Sequence, residues 1–349
     1  MWIVITMKGM RVARFKVPSD REVGFYHCVS RVVDRQFHFQ EVHKERFVSL
    51  MREYEEFCEV RVLTFCIMSN HFHILVEVPR PPEVKPDAET ILRKLRRLTG
   101  CQDPGLAELE LKGIRERKDH AAEQAWLGRF YARMWDISAF MKLLKQRFTQ
   151  WFNGVKDRCG TLWESRFHSV LVEGSGEALM TMAAYIDLNP VRAKVVSDPK
   201  DYRWSGYGEA VAGRRLSKLA LQRLIMKFTG KEQGLADSLA AYRLRVFHQG
   251  HESNETVLED GQTSRGALKH EEVLKVLNER GRLPLSDYLR CRVRYFCAGA
   301  VIGSQEFVNG IFAAYKERFD PKRVSGARRV RGLQAELYVL RDLQVDVFG

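Results

Sequence analysis

The stretch SNHFHILVEV, residues 69–78, sets His71 and His73 on either side of Phe72, ahead of an alternating apolar run. Side chains alternate across a strand, so both imidazoles leave the same face, roughly 6–7 Å apart. At that separation two ring nitrogens can converge on one divalent cation. Phe72, with Ile74 and Val76, then faces the opposite side, toward packed helices. The plain alternative is a polar pair on the wet face of an amphipathic strand. A second group lies in Tyr185-Ile186-Asp187-Leu188-Asn189. Residues four apart share one helical face; Leu179, Met182, Ala183 and Ile186 form the packed stripe, and Tyr185 and Asn189 lie at its edge, where a side chain can reach a cleft. Its alternative is a tyrosine whose ring packs and whose hydroxyl finds a partner.

These groups need elements to position them. From Phe25 the run FYHCVSRVV reads as a strand, ending in the polar Asp34-Arg35-Gln36. EVHKERFVSLMREYEEFC spaces Phe47, Leu50, Met51, Tyr54, Phe57 and Cys58 as one helical face. VRVLTFCIM and HFHILVEV are strand-like and separated by the turn-forming pair Ser69-Asn70. Strand, helix, hairpin is the opening of an α+β sandwich. Residues from Pro79 to about Gln124 are charged and broken by proline and glycine, and read as a helical insertion, about 80–135. Beyond it Phe140, Leu144, Phe148 and Trp151 mark a helix with Lys142, Lys145, Arg147 and Gln150 on its wet side. GTLWESRFHSVLVE reads as a strand, and SGEALMTMAAYIDLNP as a helix of about four turns, capped by Ser175 and stopped at Pro190.

Past Tyr207 the composition shifts. RLSKLALQRLIMKF and LADSLAAYRLRVF predict helices, HQGHESNETVLEDGQTSRG a polar linker, and the final hundred residues a series of short helices with a glycine-containing turn. The expected division is a first domain over 1–212 and a helical, basic C-terminal domain over 213–349 with a helix-turn-helix.

The net charge of +13 over 349 residues favours a polyanionic partner, nucleic acid ahead of an anionic membrane face. Seven cysteines, an odd number with no C-x-x-C pair, suggest neither a disulfide framework nor a zinc ribbon, and point to reducing cytoplasm. MWIVITMKGM lacks signal-peptide anatomy and is expected to lie outside the fold. No later stretch has the apolar length to span a bilayer.

Three blocks carry a resemblance: Ser69-Asn70-His71-Phe72-His73-Ile74-Leu75-Val76, Gly160-Thr161-Leu162-Trp163-Glu164-Ser165-Arg166-Phe167, and Ala184-Tyr185-Ile186-Asp187-Leu188-Asn189-Pro190-Val191-Arg192-Ala193. With Asp198-Pro199-Lys200-Asp201-Tyr202-Arg203-Trp204-Ser205, they cover about residues 20–210 in order. Together they resemble the single-tyrosine HUH transposases, in their REP-associated branch. The resemblance implies a ferredoxin-like antiparallel sheet backed by helices, with the C-terminal portion as an α-helical extension. It implies Tyr185 as nucleophile on single-stranded DNA beside a hairpin, leaving a 5′-phosphotyrosyl enzyme and a free 3′-OH. His71 and His73 would hold a divalent metal, Mg²⁺ or Mn²⁺, with Asn189 where the family puts a third polar ligand. The chemistry is coherent, because a phenol of reference pKa about 10 is a poor nucleophile unless a base or cation assists it.

DNA handling is expected from Arg31 and Arg35 after the first strand, from Lys145 and Arg147 on the basic helix, and from Trp163, Arg166, Phe167 and His168, which set stacking planes beside cations. For each, the alternative is a solvated charge or a core aromatic. His27 and Lys142 receive no role, and His38, His43 and His120 read as surface residues. The expected partners are single-stranded or hairpin DNA and, in a homodimer, a second copy of the chain, with no membrane. Two rivals predict different products. A noncatalytic DNA-binding repressor or architectural protein makes no covalent adduct, and a metal-dependent hydrolase using water stays active without Tyr185.

Overall fold

The computed structural model describes residues 14–18, 23–35, 38–99, 104–247, 255–257, 263–265, 289 and 294–340. The first ten residues, expected outside the fold, lie outside this description. Strand β1 (Val23–Arg31) leads into α1 (Glu41–Phe57), then β2 (Arg61–Ile67) and β3 (His71–Pro79). Helices α2 (Ala88–Arg97), α3 (Pro104–Glu116) and α4 (His120–Tyr131) fill the insertion, ahead of α5 (Ile137–Val155) and β4 (His168–Val172). The sheet runs β2-β3-β1-β4, and each neighbouring pair in it is antiparallel. That order and connectivity are those of a ferredoxin-like sheet, and the α+β class stands as read from the sequence.

The helical face spaced along α1 is the buried one: Phe47, Leu50, Met51, Tyr54 and Phe57. Phe47 meets Phe72 of β3 at 4.7 Å between ring centroids and Phe148 of α5 at 5.0 Å. Helices α1 and α5 therefore cover the sheet face to which Phe72 points. The other face carries α6 (Gly176–Asp187) and the short α7 (Asn189–Arg192). Beside them lie α8 (Gly206–Val211), α9 (Arg215–Thr229) and α10 (Leu235–Phe247). The helix expected through Asn189 breaks earlier, at Leu188, because Pro190 has no N–H for a continuing ladder. GTLWESRFHSVLVE is strand only over His168–Val172; Gly160–Phe167 is irregular and carries an isolated antiparallel bridge, Val32 to Trp163, at the end of β1.

Past α10, β5 (Glu255–Val257) pairs with β6 (Thr263–Arg265) inside the stretch read as a linker. Then come α11 (Arg294–Ala298), β7 (Val301–Gly303), α12 (Gln305–Ala314), β8 (Arg328–Arg329) and β9 (Tyr338–Val339). Where a helix-turn-helix is expected, the two helices are separated by β7. This strand runs parallel to β4, and β9 and β8 follow it, giving a seven-stranded sheet. Residues 301–339 thus extend the first sheet, and α9 buries Leu221, Leu224 and Ile225 in the core shared with β2 and α6. The composition shift near 212 is not a break in the packing.

Candidate active site

Strand register decides which side chains share a face. Arg31 lies opposite His71, Val29 opposite His73 and His27 opposite Leu75, while on the other side of β1 His168 lies opposite Val29. Directly paired residues point the same way, so His27, Arg31, His71, His73 and His168 all leave the face covered by α6. The rings of His71 and His73 stand 5.1 Å apart, and the Tyr185 ring of α6 is 6.3 Å from that of His73. Two groups distant in sequence meet there.

The histidines differ in environment. His71, partly exposed at the start of β3, has Nδ1 2.6 Å from Oδ1 of Asn70. An amide oxygen only accepts, so Nδ1 donates, and in the neutral ring the lone pair is left on Nε2. His73 is buried, with Nδ1 2.9 Å from Nε2 of His27, whose own Nδ1 is 2.7 Å from the carbonyl oxygen of Phe296. Burial pushes His27 down to about 3, and the Phe296 carbonyl only partly opposes it. Burial likewise holds His73 well below the usual imidazole range, reinforced by His27, His71, Arg192 and Arg31. Both are neutral at physiological pH, the form that binds metals. Among the described residues no three His, Cys, Asp or Glu side chains form a metal-binding group. A cation here would rest on two imidazoles and an amide, which leaves coordination positions to phosphate oxygens and water.

Tyr185 was expected at the edge of a cleft; instead it is 2% exposed. Its hydroxyl lies 3.1 Å from Sγ of Cys297, and its ring packs at 4.7 Å on Phe296, both on α11. The guanidinium of Arg192 sits 3.9 Å from the centre of the same ring and donates to the carbonyls of Tyr185 and Leu289, each at 2.7 Å. Asn189, 9% exposed, has its amide nitrogen buried without an acceptor. Arg192 and His27 are the residues that the sequence reading passed over. Arg192 lies three residues past Asn189, and His27 two residues from Val29 on the strand paired with the histidines; strand register joins His27 to the site, and the turn into α7 brings Arg192 onto the Tyr185 ring.

The expected DNA contacts divide. Arg31 and His168 share the histidine face, and Arg166 is exposed on the irregular segment before β4. Arg147 is on α5, across the sheet from the histidines, and donates to Gln150 at 3.0 Å. The side chain of Arg35 lies outside the described residues. Three expectations need correction. Trp163 is 7% exposed, donates its indole N–H to Oγ1 of Thr149 at 2.8 Å and packs among Phe39, Phe72 and Phe148. Lys145 is buried, donates to the Ser165 carbonyl at 3.0 Å, and is pushed down to about 8 by burial and by Arg14. Phe167 is buried beneath the Arg14 guanidinium, 3.5 Å from its ring centre. The two aromatic rings are buried by packing, and Lys145 is held under the 160–167 segment by the Ser165 carbonyl and the Trp163 ring, 5.1 Å away. His43 is also buried, at the start of α1, where its Nδ1 accepts from the Gln40 N–H at 3.0 Å.

Comparison with known proteins bears on the same strands. Residues 23–90 match the family model described as IS200-like transposase. The match runs from the start of β1 into the first turn of α2, so it holds His27, His71 and His73 but neither Tyr185 nor Asn189. A solved structure titled as a REP-associated tyrosine transposase bound to a REP hairpin is similar at 12% identity, over 58% of this chain and 86% of that one. Its TM-score of 0.35 is too slight a likeness to carry an argument. No curated protein sequence matches the chain. Among the described residues, no helix is long and apolar enough to cross a membrane.

Proposed function

We propose that this chain is a metal-dependent transposase of single-stranded DNA that cleaves and rejoins strands beside REP-like hairpins through a 5′-phosphotyrosine at Tyr185. The observation that carries the reading is the meeting of His71, His73 and Tyr185 on one sheet face, in a chain whose β1–β3 segment matches IS200-like transposases. In the reaction, Oη of Tyr185 bonds to phosphorus while the bond from phosphorus to the 3′-oxygen breaks. The phenolic proton is released, and the 3′-oxygen takes one up. Attack by the 3′-OH of another strand reverses these bond changes, and the phosphotyrosine conserves the energy needed to reseal.

Within this scheme Arg192 and Arg31 supply positive charge against the ring of Tyr185 and beside His71, of the sign that attracts a phosphodiester. The buried amide N–H of Asn189 has no protein acceptor, and a phosphate oxygen could fill that role. Arg31, Arg166 and His168 are the expected residues best placed to meet the strand. His71, His73 and the Asn189 carbonyl would hold Mg²⁺ or, given the imidazoles, preferentially Mn²⁺, which would polarise the scissile phosphate. Because α11 covers Tyr185, entry of DNA requires that cover to shift.

The same cover favours a second reading, a noncatalytic DNA-binding protein derived from a transposase. The two separate in one experiment: full-length protein, Mg²⁺ or Mn²⁺, and labelled single-stranded hairpin oligonucleotides from around its own gene, resolved on a denaturing gel. The transposase reading expects a slow-migrating covalent adduct, lost in Tyr185→Phe and in His71→Ala. Tight binding with no adduct across metals and flanking sequences would leave the noncatalytic reading.

A further inference from the structure

We propose that His27 is a positioning residue: it holds His73 as the Nδ1–H tautomer, which presents Nε2 to a divalent cation, and is itself set by the backbone carbonyl of Phe296. The proposal rests on the reading of His73 as a metal ligand. It begins with register. His27 opposes Leu75 while His73 opposes Val29, so the two are diagonal neighbours on one face of the β1–β3 pair. Their rings lie nearly parallel, 5.1 Å apart and 18° from coplanar orientation, with His27 Nε2 2.9 Å from His73 Nδ1.

One proton joins two neutral imidazoles, and its direction follows from the far end of the chain. The Phe296 carbonyl, 2.7 Å from His27 Nδ1, can only accept, so that nitrogen carries hydrogen. His27 is fully buried, where a second ring proton would leave an unpaired charge out of reach of water. Its Nε2 is therefore bare and accepts from His73 Nδ1–H. A neutral His73 then has its lone pair on Nε2. Such outer hydrogen bonds fix the ring and tautomer of metal-binding histidines, commonly through a carboxylate or carbonyl. Here an imidazole does so, which adds no negative charge to a site that must admit phosphate. The relay also ties the ligand to α11, since Phe296 packs on Tyr185 with its ring and holds His27 with its carbonyl.

The test reads tautomers directly. In metal-free, full-length protein labelled with ¹⁵N-histidine, long-range ¹H–¹⁵N spectra should show both His27 and His73 protonated on Nδ1 alone. Assignment comes from the loss of signals in His27→Gln and His73→Gln. His27→Leu should move His73 toward the Nε2–H form and weaken Mn²⁺ binding, followed by electron paramagnetic resonance, about 10–100-fold. His27→Gln, whose amide can accept from His73 and donate to Phe296, should restore most of that affinity. A wild-type His73 protonated on Nε2 would overturn the proposal, as would unchanged Mn²⁺ affinity in a folded His27→Leu variant. If wild-type protein binds no Mn²⁺, the metal-site reading falls and the proposed cation role of His27 falls with it. The metal-free spectrum separately decides whether the tautomer relay exists, even where His27→Leu fails to fold.

Discussion

Trp163 illustrates how residue type alone underdetermines role. An aromatic beside Arg166 and His168 has the makings of a base-stacking platform, yet its ring lies edge-on to Phe39 and Phe72, and its N–H is satisfied by Thr149. The expected outcome of Trp163→Ala is therefore a fall in unfolding free energy of about 3–5 kcal/mol, read by urea denaturation. Trp163→Phe should recover much of it. Unchanged stability together with a selective loss of single-strand affinity would instead make the ring a DNA contact. The sequence could not separate these outcomes because Arg166 and Trp163 are close in the chain but differ in burial, and burial depends on α5 and on the bridge to Val32.

At the scale of elements, Asp187 joins four of them. From the end of α6 its carboxylate accepts from Thr64 of β2 at 2.8 Å, from the Tyr207 N–H of α8 at 3.3 Å and from the Tyr242 hydroxyl of α10. The α8–β2 contact is close enough that a Cβ on Gly206 would fall 2.8 Å from the Thr64 Cα, so glycine is needed there. Burial raises Asp187 to about 7, against the opposing pull of its three hydrogen bonds. The folded state thus holds the proton more tightly than the unfolded chain. Its contribution is fully present below the unfolded value of 3.8 and is lost as pH rises through about 7. Urea midpoints measured from about pH 4 to 8 should fall less steeply in Asp187→Asn than in wild type; parallel profiles would refute the shift. In the sequence Asp187 reads as one acid between a tyrosine and an asparagine. The partners that bury it come from three other elements.

For the whole molecule, the decisive contact is β7 beside β4. Val170, Leu171 and Val172 are almost wholly buried, and the edge they would otherwise expose is paired with Val301 and Ile302. A chain ending at residue 247 would lose β7, β9, β8 and the Phe296 carbonyl, leaving an apolar open edge. We expect it to aggregate or to lose cooperative unfolding, as read by size-exclusion chromatography and a thermal melt. A monomeric, cooperatively melting fragment would show instead that the residues past 247 are not needed to complete the fold. The same contact explains how a segment outside the matched residues 23–90 reaches the candidate nucleophile.

The sequence by itself determined the local order: period-two runs made β1–β3, the helical spacing of Phe47, Leu50 and Tyr54 chose the buried face of α1, and His-x-His set two imidazoles on one side of a strand. These are consequences of backbone periodicity, which acts over a few residues. Whether Tyr185 is open or covered, which nitrogen of His73 bears hydrogen, and whether the C-terminal residues stand apart or complete the sheet were decided only by tertiary structure. Each depends on a partner brought from far along the chain, such as Cys297, His27 or Val301, and no local pattern specifies such a pairing.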